Sequence, residues 1–247
     1  MSNKPQALVI GASGGIGQAF IYELVNTGQY SQVHAVSRSA PKQPIDSVKY
    51  HIITEQNEQS IQDCCQHLAH ANIPFSTVIC CIGTLHDTGS EGVSIQPEKR
   101  LEDINAAQLQ YYFNVNTILP VLWLKALEPI VKGKHLAKVV FLSARVGSIT
   151  DNQLGGWYGY RASKAALNML LKTAQIELQR RAKNVCLVSY HPGTVDTALS
   201  KPFQTNVRPE KLFTAQFTAQ QLLSQLDNLQ AQNSPHYLDW QGQTIPW

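Results

Sequence analysis

The sequence predicts an α/β fold: a doubly wound, mainly parallel seven-stranded sheet with helices on both faces, built as a single domain. Three observations point there. Short β-branched runs alternate with helical patterns from end to end. The runs are near-continuously apolar, as strands covered on both faces are. No Gly/Ser- or Pro-rich linker divides the 247 residues, so a length that allows one or two domains is read as one, residues 1–247. Strand–helix–strand alternation with right-handed crossovers makes a parallel sheet.

In chain order, strands are expected at 7–10, 33–37, 49–54, 77–82, 138–143, 185–190 and, as an edge strand, 236–240. Helices are expected at 15–28, 57–71, 105–132, 156–182 and 214–227. In the fourth helix Leu167, Leu170, Leu171, Ala174 and Leu178 fall at spacings that trace one apolar face.

Composition narrows the function classes. Apolar residues at 43% and charged residues at 15% are globular values and disfavour disordered or fibrous chains. A net charge of +3 with no run of basic residues makes nucleic acid an unexpected partner. Five cysteines, an odd number without a CxxC, suit reduced thiols in a cytoplasm. The apolar run at 7–10 is too short for a signal peptide, and the stretch 115–131 carries Asn116, Lys125 and Glu128, so no membrane span is expected.

The run Gly11, Ala12, Ser13, Gly14, Gly15, Ile16, Gly17 falls where the first strand hands over to the first helix. Missing side chains let the backbone turn tightly there and approach a pyrophosphate, while the helix N-terminus offers unpaired N–H groups. That placement reads as a nucleotide site of Rossmann type rather than a merely structural turn. The second strand ends in Ser37-Arg38, and no acidic residue follows until Asp46. A ribose-binding carboxylate is therefore missing, and Arg38 is either a phosphate partner, favouring NADP(H) over NAD(H), or a solvated loop arginine.

Of nine tyrosines only Tyr160 has a lysine four residues on, Lys164, which puts both on one helix face. A nearby ammonium is expected to lower a phenol's pKa and make it a proton shuttle. Ser143 ends the fifth strand, at the sheet edge where α/β proteins bind ligands, and its hydroxyl could polarise a carbonyl or simply finish the strand.

Gly11-xxx-Gly15-x-Gly17, Asn116 in the run 113–116, Ser143, Tyr160-xxx-Lys164 and Pro192-Gly193, in that order, resemble a short-chain dehydrogenase/reductase along almost the whole chain. The stretches 81–87, 97–100, 142–148, 154–157 and 191–197 resemble its C-factor-like branch, related to sniffer-type carbonyl reductases. The resemblance implies that Tyr160 is the general acid/base and that Lys164 tunes it and holds the nicotinamide ribose. It further implies that Ser143 orients the substrate oxygen and Asn116 orders a relay water. Gly83 would let backbone pass close to the cofactor, and the loop after Pro192 and Gly193 would meet the nicotinamide through Val195 and Thr197. Ile10 stands where the family usually has Thr, and Cys80-Cys81-Ile82 where it usually has Asn-Asn-Ala, which removes amides that brace the strand. The Asp that commonly meets the adenine amine is absent.

The eight histidines are not expected to cluster, and His67 and His70 read as a solvated helix face rather than a metal site. His191 and the cysteine pairs read as structural, and Trp157 either packs a substrate or the start of its helix. A lid is expected over about 194–213, and substrate loops at 85–93 and 149–157. These features together describe a cytoplasmic NADP(H)-dependent oxidoreductase acting on a carbonyl/alcohol pair, and the resemblance implies a homodimer or homotetramer formed through helices 105–132 and 156–182. The alternative is a nucleotide-binding signalling or regulatory protein of the C-factor type with little turnover.

Overall fold

A computed structural model describes residues 4–70, 73–87, 94–205 and 207–247. Its seven-stranded sheet runs, from one edge to the other, through residues 48–52, 32–37, 6–10, 75–80, 137–142, 185–191 and 236–239, with every ladder parallel; two short strands, β7 (Thr194–Val195) and β8 (Leu212–Phe213), pair with each other outside it. The strands are β1 (Gln6–Ile10), β2 (Gln32–Ser37), β3 (Val48–Ile52), β4 (Phe75–Cys80), β5 (Ala137–Leu142), β6 (Val185–His191) and β9 (His236–Asp239). The helices are α1 (Gly15–Asn26), α2 (Glu58–Ala69), α3 (Ala106–Phe113), α4 (Leu119–Val131), α5 (Tyr158–Arg181) and α6 (Ala215–Leu226).

Alternation along each strand feeds two cores. Leu8 and Ile10 of β1 join Ile61, Trp123, Leu127, Leu167 and Leu171 from α2, α4 and α5. Ala7 and Val9 point the other way, onto Phe20, Leu24, Leu222 and Leu226 from α1 and α6. The chain reverses direction across the sheet between β1 and β4, so the carboxyl ends of these strands open a crevice where such sheets take ligands.

Three expectations change. The helix at 105–132 is two helices joined by a π segment, Asn114–Ile118, in which Leu119 N–H bonds Asn114 O. Pro120, lacking an N–H, follows at once and lets the helix take the extra residue without losing a bond there. On α5 Leu170 is 40% exposed, because the buried stripe runs Leu167, Leu171, Gln175, Leu178 instead. Four histidines also form a row. His34 Nδ1 lies 3.0 Å from His51 Nε2, and the rings of His51, His67 and His70 follow at 5.8 and 6.1 Å. The solvated face expected for His67 and His70 is the outer end of that row, and among the described residues no group of three or more possible ligands could hold a metal. Nor is any described helix long and apolar enough to cross a membrane.

Candidate active site

The first glycine of the β1–α1 turn has φ +80°, and a Cβ on it would lie 3.1 Å from Cys81 C. That conformation and closeness demand glycine. Gly17 is equally constrained, since a Cβ there would strike Gly11 O. Gly14 caps α1 without a side chain and no acidic residue occupies the first turn, so the helix N-terminus keeps its partial positive charge for an anion.

In front of this turn lies a cleft of about 440 Å³ lined by Gly11, Ser13, Gly14, Ser37, Arg38, Thr54, Gln56, Cys81, Ile82, Gly83, Thr84, Asp87 and Tyr111. A backbone turn that tolerates no Cβ at Gly11, a free helix N-terminus and an arginine at the strand end fit a dinucleotide. Six of the expected cofactor residues therefore share one cleft. Gly15 faces Thr197 instead, its Cβ position 3.2 Å from Thr197 Cγ2, which joins the glycine turn to the loop after β6. That loop begins with Pro192, whose carbonyl accepts from Thr218 Oγ1 at 2.6 Å, and Gly193 at φ +78°, packed on Phe213 and Trp240.

Ser143, Tyr160, Lys164 and Asn116 are all buried, and Lys164 and Asn116 meet beside Gly83. A Cβ on Gly83 would lie 3.1 Å from Lys164 Nζ and 3.3 Å from Asn116 Oδ1. Lys164 Nζ donates to Leu142 O at 2.8 Å and sits 5.9 Å from the Tyr160 ring centre. Asn116 Oδ1 accepts from Thr84 N–H at 2.7 Å, and its Nδ2 donates to Thr84 O at 3.0 Å. This pair of bonds braces the chain after β4, the brace that Cys80-Cys81 cannot supply. Ser143 Oγ donates to Asn168 Oδ1 at 2.8 Å.

Burial pushes the Tyr160 phenol above its ordinary value, with Tyr237 adding to the effect, and pushes Lys164 down to about 8. The direction is opposite to the lowering expected from the ammonium, which stands 5.9 Å from the ring, because burial removes water from the phenolate.

An aromatic wall stands beside Tyr160. Trp157, in the left-handed region at φ +53°, meets Tyr160 edge-on at 6.1 Å and Phe203 at 5.4 Å. His86 packs on Phe203 at 5.7 Å, and its Nε2 lies 3.1 Å from Ala198 O. Phe203 and Ala198 belong to the segment expected as a lid. The two ends of that segment pair as β7 (Thr194–Val195) and β8 (Leu212–Phe213), which sequence reasoning missed because two-residue strands carry no periodicity. Of the expected substrate and lid residues, 88–93 and 206 lie outside the described residues.

Sequence reasoning also missed Asn168 under Ser143, Tyr237 near Tyr160, and Glu98 behind α5. Asn168 follows Lys164 by four residues, a helical spacing that could have marked it. Glu98 and Tyr237 come from distant segments and carry no such signal.

The family model for the short chain dehydrogenase matches residues 5–208. Among curated proteins, C-signal of Myxococcus xanthus is 31% identical over 147 residues, covering 60% of this chain and 83% of that protein. Among solved structures, carbonyl reductase Sniffer of D. melanogaster superimposes with a TM-score of 0.83 at 18% identity, covering 99% of this chain and 100% of that one. The NADPH-bound carbonyl reductase from chicken fatty liver gives 0.82 at 22% identity, covering 99% and 94%. Both structural likenesses concern the fold.

Proposed function

The chain belongs to the short-chain dehydrogenase family and is an NAD(P)-dependent oxidoreductase, and from that premise we propose that it interconverts an aldehyde or ketone with its alcohol using NADP(H). The observation that carries this reading is Lys164, which stands 5.9 Å from the Tyr160 ring, bonds Leu142 O next to Ser143 and meets Asn116 at Gly83, a residue that lines the same cleft as the glycine turn. The nicotinamide supplies or accepts the hydride when bound, and the chain supplies orientation and a proton.

Ser143 turns its hydroxyl from Asn168 to the substrate oxygen and polarises it. Tyr160 hands its proton to the alcohol oxygen. The phenol, raised by burial, is protonated at neutral pH and is the proton donor in the reductive direction. Lys164, fixed by Leu142 O, stabilises the phenolate that remains. Asn116, tied to Thr84, keeps the chain after β4 close to Lys164. Trp157, Phe203 and His86 offer an apolar, ring-shaped surface to the body of the substrate.

NADP(H) is favoured over NAD(H) because Arg38 follows β2 at the cleft and no acidic residue replaces it. Dissociation constants for NADPH and NADH before and after Arg38→Ala test this; a wild type that already prefers NADH contradicts it. Five free cysteines support a cytoplasmic protein, and exposed apolar residues on α5 support a homo-oligomer.

Likeness to C-signal favours a second reading, a nucleotide-binding signalling protein with little turnover. One experiment separates the two: NADPH oxidation with a panel of aldehydes, ketones and quinones. Wild type is expected to turn over at least one compound that Tyr160→Phe does not. Equal traces from both proteins, each still binding NADPH, would overturn the enzyme reading.

A further inference from the structure

Glu98 lies outside both the cofactor cleft and the proton-transfer set, yet it is 2% exposed. A buried carboxylate is costly unless it is bonded, so its partners need a reason. Its Oε2 accepts the N–H of Gly159 at 3.0 Å, and its backbone oxygen accepts the N–H of Trp157 at 2.5 Å. Among the described residues its Oε1 has no hydrogen-bond partner.

Both donors belong to the start of α5. The position before the helix is normally filled by a residue whose side chain bonds an N–H of the first turn. Trp157 stands there, left-handed and without a capping side-chain bond, so the first-turn donors need an acceptor from elsewhere. Glu98, 61 residues earlier, provides it and sets a negative charge at the positive end of the helix. The fit is close: a Cβ on Gly159 would lie 2.5 Å from Tyr112 Cδ2 and 2.8 Å from Glu98 Oε1. Tyr160 is the next residue, its ring held between Tyr112 at 6.2 Å and Trp157 at 6.1 Å.

The segment that carries Glu98 is itself fixed. Asp103 Oδ2 accepts from the N–H groups of Lys99 at 3.1 Å and Arg100 at 3.0 Å, and Gln96 N–H donates to Gln108 Oε1 of α3 at 3.1 Å. A rigid loop therefore reaches across to the turn that presents the phenol.

We propose that Glu98 is a positioning residue for Tyr160: it caps α5 from outside and so fixes where the phenol stands. This rests on the reading of Tyr160 as the acid/base. Displacing a reacting group by about 1 Å costs up to about 100-fold in rate, so a cap that sets such a position acts on kcat more than on cofactor binding.

The test compares Glu98→Asp, Glu98→Gln and Glu98→Ala with wild type and Tyr160→Phe, measuring kcat, KM for NADPH and NADPH binding by fluorescence. Asp keeps the charge but falls one methylene short, whereas Gln keeps an acceptor oxygen at full reach. Asp and Ala are expected to lower kcat by about 10- to 100-fold with KM for NADPH within about twofold, and Gln to restore kcat to within about threefold. If Ala does not fold, the Asp–Gln pair decides. Unchanged kcat in Asp, a Gln variant as impaired as Asp, or KM rising as kcat falls would each overturn the proposal. Tyr160→Phe with wild-type turnover would bring down the acid/base reading and this role with it. An inactive Tyr160→Phe beside a flat Glu98 series removes only the positioning role.

Discussion

Burial moves Tyr160 and Lys164 in opposite directions, raising the phenol and lowering the ammonium to about 8, because each loses water around its charged form. A lysine whose pKa is lowered carries its charge below about 8 and loses it above. Reduction that needs this ammonium should therefore slow as pH rises through about 8, and a kcat profile flat to pH 10 would contradict the role. Asn116 yields a second prediction at this scale. Its removal leaves the buried N–H and C=O of Thr84 without the partners they have, and an unsatisfied buried group costs about 1–3 kcal/mol. Asn116→Ala should lower the unfolding free energy by about that amount in urea titrations; an unchanged midpoint would mean the brace carries nothing. The spacing of Tyr160 and Lys164 and the strand-end position of Ser143 made these residues legible, since local periodicity and chain order determine both. The stretch 97–100 stood out by resemblance, but the capping role of Glu98 was not legible, because a partner 61 residues away is brought to the helix only by the fold.

Elements were legible to the extent that their periodicity was their own. All seven strands of the main sheet and the helices over 15–28, 57–71 and 214–227 stand where their apolar patterns put them, within a few residues. The π segment at Asn114–Ile118 was invisible because it keeps a helical apolar pattern while adding one residue to a turn. The histidine row was invisible for another reason: it assembles across β2, β3 and α2, which meet only in the fold. Burial, then His51, Lys49 and His67, lower His34 to about 4, and burial with His67 and Lys49 lowers His51. His191, the last residue of β6, falls to about 4 through burial and Arg145. A histidine whose folded pKa is below its unfolded value of about 6.5 resists protonation when folded, so the unfolded chain takes up protons first as pH falls. Stability should decline from about pH 6.5 towards 4. Hydrogen exchange should quicken over 48–69, where the row sits. His34→Leu, which leaves nothing to protonate at the buried end, should flatten that decline in thermal melts; an unchanged slope would place the acid sensitivity elsewhere.

At the scale of the whole molecule, one chain closes both faces of the sheet, with separate apolar cores above and below it and the cofactor cleft at the carboxyl ends of its strands. Nothing in either core waits for a second subunit. What remains exposed is outside: Met169 is 64% exposed, Ile176 52% and Leu170 40% on α5, with Ile118 at 49% on the π segment that packs against α5. Met169 and Ile176 are seven residues apart, two turns of one helix, so they put exposed apolar side chains on one face, a stripe with Lys172 and Thr173 between them. Water-exposed apolar stripes of this kind mark association surfaces, and a symmetric pair that sets α5 against its copy would bury the stripe on both sides. Sedimentation velocity should accordingly show a dimer or tetramer. Met169→Glu with Ile176→Glu should yield a monomer that still melts cooperatively, because the charges sit outside both cores. A wild type that sediments as a monomer would refute the association, whereas a double variant that loses its cooperative melt would show that the stripe serves the fold of the single chain.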